Sequence, residues 1–365
     1  MKKIKNIFYA ASIVTAVYFC LKYPIDIGES VENSINRCMT LIIPSMFIFM
    51  CITSFITNSG LHRFLGRPLR FISEKLFRIP EEGLAVFILS MIAGYPAGTK
   101  LVADSFKNGD INGEQAKRMY CFCFSSGPAF ISGTAAGILY PNSNAGLLIF
   151  LSVTAGNIIT ALILSINAPK VAKKNKRNIT SVSTGCIIPS VKSASSAMIQ
   201  MCIMIAAFGG FCCILRLTGI LQYISFFTGN ILNKNPDEIY NTLMTILEIS
   251  NIVNLPQMNI SLMPVAASLL SFGGICVLMQ ITALSDKNFS IKMFIRTRLI
   301  AAFISGTACR FLLRFLNMHN VKEAVSYNII SDNKYSPLPT IFLIIMMIML
   351  LGTCLLYTSP SPRDS

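Results

Sequence analysis

Long apolar blocks alternate with short polar and basic segments along the chain. Several of these blocks approach or exceed the roughly 18–20 residues that a helix needs to cross a hydrocarbon layer about 30 Å thick. The pattern therefore predicts an all-α polytopic membrane protein. The blocks are Ile7–Phe19, Cys38–Ile56, Gly146–Ile166, Met198–Leu215, Leu262–Leu284 and Leu338–Leu356.

Some apolar blocks are interrupted by residues that break helices. Residues 91–100 read MIAGYPAGTK, in which Gly94, Pro96 and Gly98 fall close together. Irregular backbone at membrane depth is tolerated only where it is buried in protein or lines a wet cavity. We therefore predict that residues 83–103 form a re-entrant or broken helix. Similar breaks are predicted within residues 123–131, 247–257 and 270–278.

The composition is typical of a membrane protein, and it affects how the positive net charge of the chain is interpreted. Of 365 residues, 53% are hydrophobic and 13% are charged, against about 25% charged residues in soluble domains. The net charge of +15 comes from lysines and arginines between the apolar blocks, which indicates membrane topology and contact with anionic lipid rather than nucleic acid. The 12 cysteines lie mostly in apolar runs and only 2 histidines occur, so no metal site is expected.

Basic segments predict which loops face the cytoplasm. Residues 1–6, 62–78, 170–177 and 285–298 are all basic and should lie inside. Three full crossings between residues 78 and 170 would contradict this rule, whereas a re-entrant segment at 83–103 satisfies it. Residues 62–78 suit an amphipathic helix on the inner interface, with an ordinary basic loop as the alternative.

The chain also contains a faint internal repeat. Residues 30–61 and 190–220 each open with Ser-Val, continue through an apolar run and close with glycine and an aliphatic residue. The topology places their starts on opposite sides of the membrane, which predicts an inverted repeat of the kind found in secondary transporters.

The predicted organisation is an N-terminal transmembrane helix (1–29), a first repeat (30–168), a basic cytoplasmic linker (169–189), a second inverted repeat (190–317), an external loop with a last transmembrane helix (318–357), and a tail (358–365) that resembles translated sequencing-adapter read-through.

Polar residues at the breaks are the candidates for a substrate site. Glu248 stands alone in an apolar stretch, where a carboxylate costs about 3 kcal/mol even on insertion scales. It either serves a substrate or coupling cation, or forms a structural ion pair with Lys100, Arg310 or Arg314. Lys100 either neutralises an anion or reaches the interface. The full set of candidates is Gly94, Tyr95, Pro96, Gly98, Lys100, Ser125, Ser126, Gly127, Glu248, Asn251, Gly273, Gly274 and Gln280, and helix packing by small residues is the alternative role for its glycines and serines.

Motifs of enzymes are missing from the sequence. It has no Walker loop, no GxSxG, no HExxH and no paired carboxylates, so we expect neither an enzyme nor a bound cofactor. Gradient-driven or facilitated movement of a solute, or movement energised by a partner, is expected instead, and a proton or cation could be coupled to it. The chain could also act as a homo-oligomer.

The motifs together resemble a known family. In order along the chain stand PSMFIF, SGLHRFLGRPLRFISEKLFRIPEEG, AGYPAGTKL, GEQAKRMYCFCFSSGPAFISGTAAG, LEISNI and SFGGICVLMQ. Over residues 25–315 this is similar to the sporulation integral membrane proteins that carry nucleoside-recognition (gate) domains, whose members resemble the spore dipicolinate transporter. The gate domain is shared with concentrative nucleoside transporters, so the resemblance predicts the fold better than it predicts the substrate.

The resemblance implies transport of a small organic anion. For this family the expected substrate is dipicolinate, moving from mother cell to forespore across the outer forespore membrane, with Lys100 and helix-end amides facing the dianion and Tyr95 stacking on its ring. Two alternatives stay open: a nucleoside transporter of the concentrative type, in which Glu248 and Asn251 bind the ribose, and a membrane assembly factor that transports nothing.

Overall fold

The computed structural model describes residues 2–140, 145–171, 184–255 and 260–315. All of them belong to one compact unit that spans Met1–Asn320, and a second unit, Val321–Ser365, lies outside the described residues. The predicted external loop, last transmembrane helix and tail therefore also lie outside them, as does most of the basic linker.

All regular secondary structure in the described residues is helical. The first half contains α1 (Lys2–Lys22), α2 (Pro24–Arg37), α3 (Ile43–Asn58), α4 (Leu61–Gly66), α5 (Arg70–Ile72), α6 (Glu81–Ala93), α7 (Ala97–Lys107), α8 (Gly113–Phe122), α9 (Pro128–Phe130), α10 (Ala136–Leu139) and α11 (Ala145–Ser165). The second half contains α12 (Ile187–Leu217), α13 (Ile220–Leu232), α14 (Pro236–Leu247), α15 (Met263–Phe272), α16 (Ile275–Leu284) and α17 (Ile291–Phe315).

Shorter 3₁₀ and π segments complete these helices. They are π-helical at Cys38–Ile42, Ser73–Phe77 and Ile131–Ala135, and 3₁₀-helical at Arg67–Leu69, Thr184–Cys186, Ile249–Asn254 and Ile260–Leu262.

Four helical stretches among the described residues are long and apolar enough to cross a membrane. The first joins α2 and α3 through the π-helical turn, and the last joins α15 and α16. These stretches confirm the all-α polytopic membrane fold. They are Pro24–Asn58, Ala145–Ser165, Ile187–Leu217 and Ile260–Leu284.

The helix breaks fall where glycine and proline predict them. Gly94 ends α6 with a φ of +80°, and α7 begins after Pro96. Gly274, with a φ of +87°, separates α15 from α16. Because an L side chain rarely adopts such backbone angles, glycine is the residue that allows each break.

The two halves repeat the same order of elements. A long helix is followed by a short one, then by two interrupted helices, and finally by another long helix. α12 packs along α2 and α3, whereas α17 packs against both α11 and α15. The inverted orientation of the two halves remains a prediction, since it depends on where the membrane lies.

Two predicted boundaries differ from the structure. The boundary after residue 29 falls inside Pro24–Asn58, because Pro24 occupies the first turn of a new helix and the polar residues after it remain helical. The predicted basic loop at 285–298 is a loop only to residue 290, because α17 begins at Ile291. Arg298 therefore lies two turns inside a helix.

The segment predicted to be amphipathic, residues 62–78, is helical from Leu61 to Phe77 and is held by a buried polar cluster. His62 Nε2 lies 3.2 Å from Asp110 Oδ2, and Arg63 donates to Asp110 Oδ1 at 2.8 Å. Burial alone would raise the pKa of the Asp110 carboxyl, but His62 and Arg63 outweigh burial and hold this pKa below its ordinary value. The cluster fixes α4 to the loop between α7 and α8, while Phe64 and Phe71 stay exposed.

Substitution of Gly98 would show how tightly the first break is packed. A Cβ atom at this position would lie 2.9 Å from Ser90 Cβ and closer still to the carbonyl oxygen of Cys123. We expect Gly98→Ala to lower the free energy of unfolding by about 1–3 kcal/mol through overpacking, measured as a fall in melting temperature in detergent. The matched control is Gly28→Ala, because Gly28 is exposed and an added methyl group there would have no atom within 4 Å; equal effects of the two substitutions would contradict the close packing.

Candidate functional site

The broken segments meet one another inside the protein. The Tyr95 amide donates to the Ser125 carbonyl at 2.6 Å. Ser126 Oγ donates to the Leu270 carbonyl at 2.7 Å and lies 3.2 Å from the Tyr95 hydroxyl. Since a serine hydroxyl carries a single proton, Tyr95 is the donor to Ser126. Three of the predicted breaks thus satisfy each other's polar groups.

Glycines allow this close approach. A Cβ on Gly127 would lie 3.2 Å from Gly94 Cα, and a Cβ on Gly274 would lie 3.1 Å from the Ile249 amide nitrogen. A Cβ on Gly273 would strike the Phe124 ring and lie 3.5 Å from the Tyr95 ring. The remaining predicted break, within residues 247–257 and called the fourth break from here on, therefore packs directly against the break at 270–278.

Arg298 anchors the second break from α17. It is one of the largest fully buried side chains, at 1% exposure. It donates to the Asn157 Oδ1 at 3.0 Å and to the Cys121 carbonyl, and its guanidinium carbon lies 4.8 Å from the centre of the Phe124 ring. Asn157 in turn donates to the Phe124 carbonyl at 2.7 Å. Arg298 and Asn157 thus supply partners to carbonyls at the end of α8.

Glu248 stands at the start of the fourth break and is 3% exposed. Its Oε2 accepts a hydrogen bond from the Ser250 amide at 2.8 Å and another from the Ser250 hydroxyl. In this position it caps the 3₁₀ segment Ile249–Asn254. The carboxylate therefore holds the backbone of the break through its own chain neighbours.

The ion pairs considered for Glu248 from sequence do not form within the described residues. Arg310 and Arg314 are exposed on α17. Lys100 pairs instead with Asp104 at 2.9 Å. Glu248 is thus left without a direct counterion in the described part of the chain.

Arg37 is the cation that acts on Glu248 electrostatically, without contacting it as an ion pair. Its Nη1 donates to Asn251 Oδ1 at 2.5 Å, and its buried Nε has no hydrogen-bond partner among the described residues. Asn251 Nδ2 donates to the Met244 carbonyl at 3.1 Å. Asn251 therefore ties Arg37 to the end of α14.

Two cavities adjoin the fourth break. The larger has a volume of about 170 Å³ and a largely polar wall that includes Arg216. The smaller has a volume of about 20 Å³ and is mostly apolar, with Tyr95, Glu248 and Gln280 among its lining residues. The larger cavity is lined by Ser30, Cys212, Cys213, Arg216, Tyr240, Asn241, Met244, Asn251 and Asn254.

Most of the predicted site residues come together around these breaks. Tyr95, Glu248 and Gln280 line the smaller cavity, and Asn251 lines the larger one. Lys100 lines neither cavity, and its side chain pairs with Asp104 one turn further along α7. We call the region where the interrupted helices contact one another the crossing. The remaining predicted residues surround it: Gly94, Pro96, Gly98, Ser125, Ser126, Gly127, Gly273 and Gly274.

Sequence reasoning missed the arginines of the site. Arg37 and Arg216 lie near the ends of polar or apolar runs and look like ordinary topology signals, and Arg298 looks like part of a cytoplasmic loop. The sequence held one signal that Arg298 is buried, because the other side chains of its segment are those expected on a buried helix face. Asn157, inside the apolar helix α11, is the other polar residue that this signal would find.

Comparison with known proteins agrees with the motifs. The chain is 26% identical over 198 residues to the sporulation integral membrane protein YlbJ of Bacillus subtilis (strain 168), a match that covers 54% of this chain and 47% of the relative. The chain is a homologue of a sporulation integral membrane protein. It spans about half the length of the curated relative that it matches. No family model and no solved structure matches it.

Removing the Arg298 guanidinium should destabilise the crossing. In Arg298→Met the carbonyl of Cys121 and the amide oxygen of Asn157 lose their charged donor. Because these acceptors are buried, we expect a loss of about 1–3 kcal/mol in the free energy of unfolding for each acceptor left without a donor, read as a lower melting temperature in detergent. Arg296→Met removes an exposed arginine from the same helix and should change little. Similar melting temperatures for the two variants would show that Arg298 does not anchor the break.

Proposed function

We propose that this protein is a membrane transporter of a small organic anion, with dipicolinate as the substrate during sporulation. The observation that carries the proposal is the cavity of about 170 Å³ beside the fourth break, with Arg216 in its wall and Arg37 bound to its lining residue Asn251. Cavities of transporters commonly lie where helices are interrupted at membrane depth.

Charge favours an anion as the occupant. No aspartate or glutamate is among the described residues that line this cavity. Neither Arg37 nor Arg216 belongs to an ion pair within the described part of the chain. Arg37 is half-buried, whereas Arg216 is exposed in the last turn of α12, and a substrate with two carboxylates would supply a partner to each. Arg216 and Arg37 take the role that the sequence assigned to Lys100.

Size favours a single ring over a nucleoside. An apolar cavity of about 150 Å³ is sufficient for one benzene molecule, so about 170 Å³ suits a six-membered ring with small substituents. A nucleoside joins a base to a ribose and is larger. Tyr240 lies in the wall, where its ring can pack against a planar substrate. In this arrangement Tyr240 contacts the substrate ring, whereas Tyr95 remains in the smaller cavity.

The relative supports the biological setting. Its name places it in sporulation and in a membrane, which agrees with the four helical stretches in the described part of this chain that are long enough to span one. The outer forespore membrane is the location that we propose, since dipicolinate would have to cross it.

Uptake by proteoliposomes tests the proposal. Vesicles that contain the purified full chain should accumulate labelled dipicolinate, and Arg216→Gln should reduce the uptake about tenfold or more, because hydrogen bonds to charged groups contribute about 1.5–3 kcal/mol. Arg310→Gln is the matched control, since Arg310 is an exposed arginine on α17 outside the cavity.

Uptake of uridine measured in the same vesicles separates the alternatives. Transport of uridine without dipicolinate would identify a nucleoside transporter. Vesicles that take up neither solute, while the protein is folded by its melting curve, would favour a membrane assembly factor. Equal uptake by the Arg216 and Arg310 variants would remove the larger cavity from the transport path.

A further inference from the structure

Glu248 is a carboxyl group in surroundings that favour its neutral form. Its side chain is 3% exposed, and the smaller cavity that it lines is mostly apolar. Burial in apolar surroundings disfavours the ionised form of a carboxyl group. The ionised form of Glu248 therefore depends on the hydrogen-bond donors and charges around it.

Two interactions favour the ionised form in the absence of an anion. Ser250 donates to the Glu248 carboxylate from its amide at 2.8 Å and also from its hydroxyl, and Arg37 acts on the carboxylate electrostatically from α2. The bonds from Ser250 are fixed by the turn that Glu248 caps. The effect of Arg37 is adjustable, because it depends on the other groups that this arginine binds.

Asn251 links Arg37 and Glu248 to the larger cavity. Arg37 Nη1 donates to Asn251 Oδ1 at 2.5 Å. The Asn251 side chain lines the larger cavity, and its backbone amide donates to the Glu248 carbonyl at 3.0 Å. An anion bound beside Asn251 is therefore separated from Glu248 by one turn of the 3₁₀ segment.

An anion in the larger cavity changes the electrostatics of Glu248 in two ways. It compensates the positive charge of Arg37, and its own carboxylates repel the carboxylate of Glu248. Loss of an opposite charge and approach of a like charge both disfavour the ionised form of a carboxyl group. Both effects of the anion therefore favour binding of a proton to Glu248.

We propose that Glu248 takes up one proton when an anion binds in the larger cavity, so that the protein moves a proton together with its substrate. The inference rests on the proposed function. The proton comes from water and binds to the Glu248 carboxylate, which leaves Glu248 neutral and Arg37 with the carboxylate of the substrate. A dianion that moves with a proton carries less net charge through the membrane, where charge is costly.

The other titratable groups around Glu248 and the larger cavity do not change charge near neutral pH. The arginines Arg37 and Arg216 stay protonated, because a guanidinium is not deprotonated in proteins. The others are thiols and phenols, which are neutral near pH 7. Among the described residues they are Cys38, Tyr95, Cys212, Cys213, Tyr240 and Cys276.

Calorimetric titration of the full chain in detergent with dipicolinate tests the proton. At a neutral pH at which dipicolinate is fully ionised, the measured heat should depend on the ionisation enthalpy of the buffer, with a slope close to one proton taken up per dipicolinate. The affinity should then rise up to tenfold for each unit by which the pH falls, because binding and proton uptake are linked.

Two variants identify the group that takes up the proton. Glu248→Gln should bind dipicolinate with a heat that no longer depends on the buffer. Glu238→Gln is the matched control, since Glu238 is an exposed carboxylate on α14 that lines neither cavity, and this variant should keep the wild-type slope.

Variants of Arg37 test the electrostatic link without a ligand. Arg37→Gln removes the charge that acts on Glu248, so the infrared band of one additional protonated carboxyl group should appear at a pH about one unit or more higher than in the wild type. Arg37→Lys keeps the charge and should remain close to the wild type. This comparison needs no variant of Glu248, so it stays informative if Glu248→Gln fails to fold.

The outcomes separate this inference from the proposed function. If dipicolinate binds with a heat that is independent of the buffer, the proton site is wrong and the anion transporter stands. Proton uptake that persists in Glu248→Gln, or equal infrared titrations of the two Arg37 variants, would also overturn the proton site. If dipicolinate does not bind, the proposed function is wrong, and the Arg37 variants alone show whether Glu248 takes up a proton when Arg37 loses its charge.

Discussion

Backbone amides and carbonyls at membrane depth need hydrogen-bond partners inside the protein, because lipid supplies none. This constraint governs the interrupted helices of the chain. The Tyr95 amide reaches the Ser125 carbonyl, Ser126 reaches the Leu270 carbonyl, and Arg298 serves carbonyls at the end of α8. Each break is therefore stable only in the presence of the others. The smaller cavity depends on these contacts, because Tyr95, Phe130 and Val277 from the three breaks line it, whereas the larger cavity is lined by residues of α2, α12, α14 and the segment Ile249–Asn254.

The charges of the protein divide into two groups under this constraint. Lys100 with Asp104, and Arg63 with Asp110, are paired within the structure. Arg298 is satisfied by carbonyl and amide oxygens, without a carboxylate among the described residues. Arg37 and Glu248 differ, since each has amide or hydroxyl partners while its charge is only partly compensated. Arg298 also lacks a counterion among the described residues, so it is the position beside a cavity wall that sets Arg37 and Glu248 apart from the residues that hold the fold.

The positions of the helix breaks could be predicted from the sequence, whereas the residues that form hydrogen bonds to them could not. Gly94, Pro96 and Gly274 could be identified because their effect on the backbone is local, and Glu248 because a lone carboxylate in an apolar run is rare. The role of Lys100 was assigned from proximity along the chain, whereas its ion pair with Asp104 depends on the helical spacing of four residues. Arg298 and Asn157 meet from helices more than 140 residues apart, and a contact of this kind has no signature within one sequence.

The bond between Arg37 and Asn251 gives the crossing a means of responding to an anion. A neutral amide oxygen is a weaker partner for a guanidinium than a carboxylate, because a carboxylate adds Coulombic attraction and can accept two parallel hydrogen bonds. An anion in the larger cavity can therefore replace Asn251 as the partner of Arg37 at small cost. Asn251 belongs to the short segment that Glu248 caps, so release of its side chain alters the same turn that holds the carboxylate. Under the proposed function, a 3₁₀ segment of six residues can change in this way without unwinding a membrane-spanning helix, so Asn251 can respond to an anion while Arg37 stays on α2.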